Sequence, residues 1–168
     1  FVEQGSEIAW DGTTLTSLAV EYACGSGGPE FNGVVRYNSQ APFTFDRLTP
    51  ALWFGDTTIG ETSAVQQVEY VNTGTVDLHP GAAYAVGDDA ADLVIGPDGC
   101  VGRTLEPGAS CAVGVAFRPR DVARVLRSAA VALPTDGLTA TRWTVISAAA
   151  TLPTAITVTS SGSPNTLP

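Results

Sequence analysis

The sequence predicts an all-β sandwich, and three observations predict it. Short apolar runs rich in aromatic and β-branched residues recur along the chain. Each run closes on a Gly, Pro or Asn turn, at the spacing of a β-sandwich. Helix formers are scarce: Lys and Met are absent, while Gly alone accounts for 18 of 168 residues. The length suits one domain with appendages, and 44% hydrophobic with 15% charged residues marks a globular chain.

Residues 1–46 read as an N-terminal β extension. Glu7-Ile8-Ala9-Trp10-Asp11-Gly12 ends in an Asp-Gly turn signal, and Thr14 to Ala23 alternates as a long strand. Gly25 to Pro29 breaks it, and Phe31 to Asn38 supplies a third strand. Three strands carrying Trp10, Leu18, Val20, Tyr22, Val35 and other apolar residues need a covering partner, either the following sandwich or a neighbouring chain.

Residues 47–150 hold the sandwich. Strands are expected at Leu52 to Phe54, Ala64 to Val71, Ala82 to Val86, Asp92 to Ile95, Ala112 to Phe117, Val125 to Leu133 and Arg142 to Ala148. Asn72-Thr73-Gly74, His79-Pro80-Gly81, Gly96-Pro97-Asp98-Gly99, Glu106-Pro107-Gly108 and Pro134-Thr135-Asp136-Gly137 supply turns between them. Arg124 to Val131 has some helical character, but it runs straight into Pro134 and is assigned to a strand. Residues 151–168 form a tail in which Ala155-Ile156-Thr157-Val158-Thr159-Ser160 has a strand pattern. It either adds an edge strand to its own sandwich or docks on another molecule.

All eight basic residues are Arg, and 17 acids bring the net charge to −9, a balance that repels nucleic acid and anionic membranes. Residues 1–99 hold 14 acids and 2 Arg (net −12), and residues 100–168 hold 3 acids and 6 Arg (net +3). Arg118, Arg120, Arg124 and Arg127 concentrate that excess, either as a solvated strand and turn or as a patch that meets the acidic half of another copy. The absence of Met fits a processed product with its signal peptide removed. No apolar run approaches the roughly 20 residues that span a bilayer.

Cys100 and Cys111 flank a turn-rich segment at a separation that adjacent strands can bridge, which implies an oxidising compartment. Metal binding is the poorer alternative, because one His and three Cys lack paired ligand spacing. Cys24 remains as a small buried side chain or as half of an intersubunit bridge.

Enzymatic readings find little support. His79, followed by Pro80-Gly81, reads as a turn residue rather than a general base. Asp88, Asp89, Asp92 and Asp98 offer calcium-ligand oxygens, but their spacing matches no EF-hand and reads as an acidic loop. Trp10, Trp53 and Trp143 would form a sugar platform if exposed, yet Trp53 and Trp143 sit inside strand patterns and are expected in the core. No metal or other cofactor is expected.

Several segments occur together in a recognisable order: Leu52-Trp53-Phe54-Gly55 with Ile59-Gly60; Val68 with Asn72-Thr73-Gly74; Cys100 and Leu105 through Cys111; and Val115-Ala116-Phe117-Arg118-Pro119. From Pro50 to about Ala148 the chain resembles the ASH-type immunoglobulin-like domain of bacterial choice-of-anchor secreted proteins, related in fold to major sperm protein. The resemblance implies an immunoglobulin-like sandwich of seven to nine strands. It further implies a Cys100–Cys111 bond and a scaffolding or interaction role without catalysis. Residues 1–46 lie outside it, and Ser147-Ala148-Ala149-Ala150 stands where the family has a Gly-rich close.

The expected function is a non-catalytic extracellular structural subunit. It would assemble with copies of itself, as a filament, pilus-like fibre or surface layer, through strand addition and charge complementarity. Cys24 and the four clustered Arg are its candidate contacts. The alternative is a cell-surface module that binds glycans or other surface proteins.

Overall fold

The computed structural model describes residues 2–24, 31–121, 124–137 and 141–153, with the side chains of 2–6, 23, 24, 31 and 32 left out. The N-terminal part is an antiparallel meander of β1 (Val2–Asp11), β2 (Thr14–Cys24) and β3 (Phe31–Tyr37). The Asp11-Gly12 signal does turn the first hairpin, with Gly12 at φ 62°.

Eight strands follow: β4 (Asp46–Leu48), β5 (Ala51–Thr58), β6 (Gln66–Asn72), β7 (Tyr84–Val86), β8 (Leu93–Asp98), β9 (Ser110–Phe117), β10 (Leu126–Pro134) and β11 (Thr141–Thr151). They form two four-stranded sheets, ordered β5-β11-β10-β7 and β4-β6-β9-β8. The pairings are antiparallel except β5 with β11. Among the described residues the one helical turn is a 3-10 turn at Ala90–Asp92, and the Arg-rich segment is a strand, since Leu126 to Pro134 pairs along β11.

Period-two burial locks the two sheets together. Val68 and Tyr70 of β6 and Val113, Val115 and Phe117 of β9 meet Phe54, Val131, Leu133, Ile146 and Ala148 from the facing sheet. The Phe54 and Phe117 rings lie 6.5 Å apart. Burying one such aromatic side chain contributes about 2–3 kcal/mol.

The turn motifs have structural reasons. Asn72 is fully buried: its amide donates to the carbonyls of Val76 and Leu105, and its Oδ1 accepts from the Gly74 N–H. A side chain at Gly74 would strike the Phe43 carbonyl and the Phe45 nitrogen. Cys100 and Cys111 form a disulfide with Cα atoms 5.0 Å apart. It closes the loop that carries fully buried Leu105, whose main chain exchanges hydrogen bonds with Leu78. The molecule is an all-β, immunoglobulin-like sandwich preceded by a three-stranded meander.

Candidate interaction surface

Directly opposed residues of an antiparallel pair share a face, so the meander's register sorts its side chains. One face carries Ile8, Leu18 and Tyr37 in one row, Val20 with Val35 in the next, and Trp10 beside Leu15. The other carries Glu7, Ala19 and Arg36 in a row, Ser17 opposite Ala9, and Glu21 opposite Val34. Alternation leads one to expect the first face buried and the second solvated. The structure shows the reverse.

The polar face is covered by residues 39–45, which connect the meander to β4. Ser17 and Ser39 each donate a 2.7 Å hydrogen bond to the Glu7 carboxylate. Those two hydroxyls, helped by Arg36, hold the Glu7 carboxyl below its usual range. Glu21 accepts from the Thr44 N–H and hydroxyl, and Arg36 lies over the Phe43 ring. Ser17, Ala19, Glu21 and Ser39 are buried in consequence. The apolar face stays open, with Ile8 56%, Trp10 61%, Val35 50% and Tyr37 56% exposed. Among the described residues, the chain's own sandwich does not cover this face.

The connecting segment is anchored where it enters the sandwich. Phe43 and Thr75 exchange main-chain and hydroxyl contacts, and the Phe45 carbonyl accepts from Thr73. Buried Asp46 then meets Arg142 Nε at 2.9 Å and accepts from the Tyr70 hydroxyl at 2.8 Å. Burial outweighs both partners and pushes the Asp46 carboxyl up; burial and the nearby carboxylate push the Tyr70 phenol up as well.

A second open apolar face lies on the sandwich. Trp53, Tyr84, Trp143 and Val145 point outward from the β5-β11-β10-β7 sheet, 42–55% exposed. This corrects the expectation that Trp53 and Trp143 are core. Both β5 and β11 carry apolar residues on their two faces, and it is Leu52, Phe54 and Ile146 that turn inward.

The arginine cluster also departs from expectation. Arg127 is 7% exposed. It reaches Asp89 at 3.2 Å, Asp92 at 3.4 Å and Asp121 at 2.7 Å. Arg124 pairs with Asp88 at 3.5 Å. Four carboxylates are thus matched inside the molecule, and Arg127 is buried rather than offered to a neighbouring copy. Arg118 and Arg120 remain exposed. The Asp88, Asp89 and Asp92 group is organised by arginine, which removes the reason to read it as a calcium loop. Asp98 caps its turn by accepting from the Cys100 and Val101 N–H groups.

His79 clasps two loops: its Nδ1 lies 2.7 Å from Asp136 Oδ2, and its main-chain N–H donates to Oδ1. These bonds outweigh burial and hold the Asp136 carboxyl low. Cys24 lies at the end of β2, and its side chain falls outside the described residues, as does the segment 155–160.

Comparison with known proteins shows likeness of fold. No protein-family model matches the chain, and no curated protein matches it. A Porphyromonas gingivalis W83 protein of unknown function is 17% identical at a TM-score of 0.52, over 86% of this chain and 66% of that one. The secreted serine protease VesC of Vibrio cholerae is 19% identical at 0.48, over 64% of this chain and 23% of its own. The ASH/PapD-like domain 7 of human CEP192 is 20% identical at 0.45, over 66% and 86%. The chain thus spans about a quarter of VesC and about two thirds of the Porphyromonas protein. At 17% identity, the likeness to the Porphyromonas protein is one of fold alone.

Proposed function

We propose that this chain is a non-catalytic structural module of an extracellular protein that associates with copies of itself through its N-terminal meander. The observation that carries the reading is the inverted meander, whose polar face is bolted to its own chain while its apolar face is open. A three-stranded sheet gains little by exposing its apolar side, so covering that side by another molecule is the favourable outcome. The Cys100–Cys111 disulfide supports an oxidising, extracellular setting. No helix among the described residues is long and apolar enough to cross a membrane. The scaffolding role implied by the ASH-type resemblance agrees with this reading.

Light scattering of the full chain over a concentration series tests it. The expected result is a mass that rises with concentration, and a Trp10→Ser/Tyr37→Ser variant that stays monomeric at the same concentrations. Both side chains are more than half exposed, so the variant keeps its fold. Because Arg124 and Arg127 are already matched by aspartates of their own chain, added salt leaves the association intact. A full chain that is monomeric throughout sinks the proposal.

A second reading rests on the Trp53, Tyr84 and Trp143 face, which has the exposed aromatic character of a glycan- or protein-binding surface. It predicts a monomer whose tryptophan fluorescence shifts on adding oligosaccharide, and loses that shift in Trp143→Ala. Fluorescence unchanged across neutral and acidic oligosaccharides rejects the glycan form.

A further inference from the structure

The proposed association has two geometric constraints that identify its partner segment, an edge to receive a strand and a segment able to reach it. The sandwich's own edges are poor receivers. β4 and β7 are three residues long. β8 contains Pro97 and a register shift between Ile95 and Asp98. β5 is kinked at Gly55, φ 65°, and its Trp53 carbonyl already accepts from the Gln66 amide. Short strands, proline and bulges are the devices that block edge-to-edge pairing.

The meander's edges differ. β1 is interrupted by two register shifts, but β3 pairs with β2 without a break from Phe31 to Tyr37. No described strand pairs with the other side of β3. It contains no proline, and its one charged side chain, Arg36, belongs to the covered face and lies over Phe43. Among the described strands, β3 is the open, regular edge.

The segment suited to fill it is Ala155-Ile156-Thr157-Val158-Thr159, which alternates small or apolar residues with threonine. In its own chain it starts from the opposite end of the sandwich. The Arg142–Asp46 contact places the start of β11 at the end of the sandwich where the meander is attached. β11 then runs nine residues to Thr151, whose carbonyl accepts from Ile59 at the far end. That distance is about 30 Å at a rise of about 3.3 Å per residue. Thr159 lies eight residues beyond Thr151, a reach of about 26–29 Å even fully extended. The two appendages leave the sandwich at opposite ends, and the tail starts moving away from the meander.

The geometry points to a head-to-tail strand exchange: residues 155–159 of one copy pair with the free edge of β3 in a second copy. This rests on the association proposed above and names its donor and acceptor. Ile156 and Val158 would pack beside Val35 and Tyr37 and cover part of their exposed sides, while the threonines join the polar face. Main-chain pairing gives the affinity, and the alternation fixes the register. Each copy has one donor and one acceptor at opposite ends, so the contact is heterologous and propagates unless it closes into a ring.

The test uses the full chain and an Ile156→Pro/Val158→Pro variant, whose changes lie beyond β11 and whose folding is checked by circular dichroism. Light scattering and hydrogen exchange are measured at low and high concentration. In the unaltered chain, the β3 amides between Gly33 and Tyr37 that point away from β2 are expected to gain about tenfold protection on concentrating. The proline variant is expected to show neither that protection nor the rise in mass. If the variant associates like the unaltered chain, or protection appears on β1 or the sandwich instead, strand exchange is overturned while association through the meander stands. Protection of β3 that depends on the tail but not on concentration places the tail in its own chain and also overturns it. A chain that stays monomeric, with β3 unprotected at every concentration, overturns both.

Discussion

Arg127→Ala lowers stability by about 3 kcal/mol, which for a domain of this size is a fall of about 6–12 °C in Tm. The guanidinium sits between buried Asp89 and Asp92 and holds Asp121 against the same pocket. Without it, two buried carboxylates lose their shared cation, and Arg124, 3.8 Å from Asp89, offsets them in part. The low end of the range for broken buried pairs applies because the cluster opens to solvent at Asp121, whose side chain is 63% exposed. Arg127→Lys recovers part of the loss, since one ammonium cannot reproduce a fork that reaches three carboxylates.

The pH dependence has a definite sign. Burial alone would raise the Asp89 carboxyl, but the Ser128 N–H, Arg127 and Arg124 together hold it below its usual range. Its contribution is therefore complete above the unfolded value of about 3.9 and drains away as pH falls through the folded value. In Arg127→Ala the Arg127 share of that downward shift is lost, so the deficit is largest near neutrality and narrows below about pH 4. Thermal melts of both proteins from pH 3 to 7 measure this. A variant that melts within about 2 °C of the parent at pH 7 contradicts the account.

Removing the disulfide with Cys100→Ala/Cys111→Ala costs about 2.5–3 kcal/mol through the entropy of an 11-residue separation regained by the unfolded chain. The loop also carries Leu105, whose side chain is in the core, whose main chain pairs with Leu78 and whose carbonyl accepts from Asn72. Loosening it exposes that anchor, so a second observable accompanies the lower Tm: amide protection at Leu78 and Leu105 falls before that of β6 and β9. Intact mass with and without reductant reports the bond itself. Free thiols at both positions in the native protein would remove this prediction and the main support for an extracellular setting.

Much of the sandwich was legible because its signals are local. Val68, Tyr70, Val113 and Val115 announce their strands through period two and β-branching. Asn72-Thr73-Gly74 announces a turn whose side-chain bonds span only two to four residues on one side. Strand ends were less legible: Ala82 and Ala83 precede β7 rather than join it, and β8 runs on through Pro97 to Asp98. Pairing geometry decides such ends, and a proline is tolerated there because β8 is an edge.

From sequence alone the chain determined its class, its turns, its paired cysteines and a three-stranded appendage with one apolar and one polar face, since each depends on residues close in sequence or on side-chain chemistry. Tertiary structure alone decided which faces are open and which charges are matched. Strand alternation defines two faces but carries no information on which is covered; for the meander that choice was made by Ser39 and Thr44, distant hydroxyls able to satisfy Glu7 and Glu21. An unbonded carboxylate costs more to bury than an apolar side chain costs to leave exposed. In the same way Arg124 and Arg127 read as a positive patch until contacts spanning 36 to 39 residues brought Asp88 and Asp89 beside them. Those long-range pairings follow from sheet order, which local sequence does not encode.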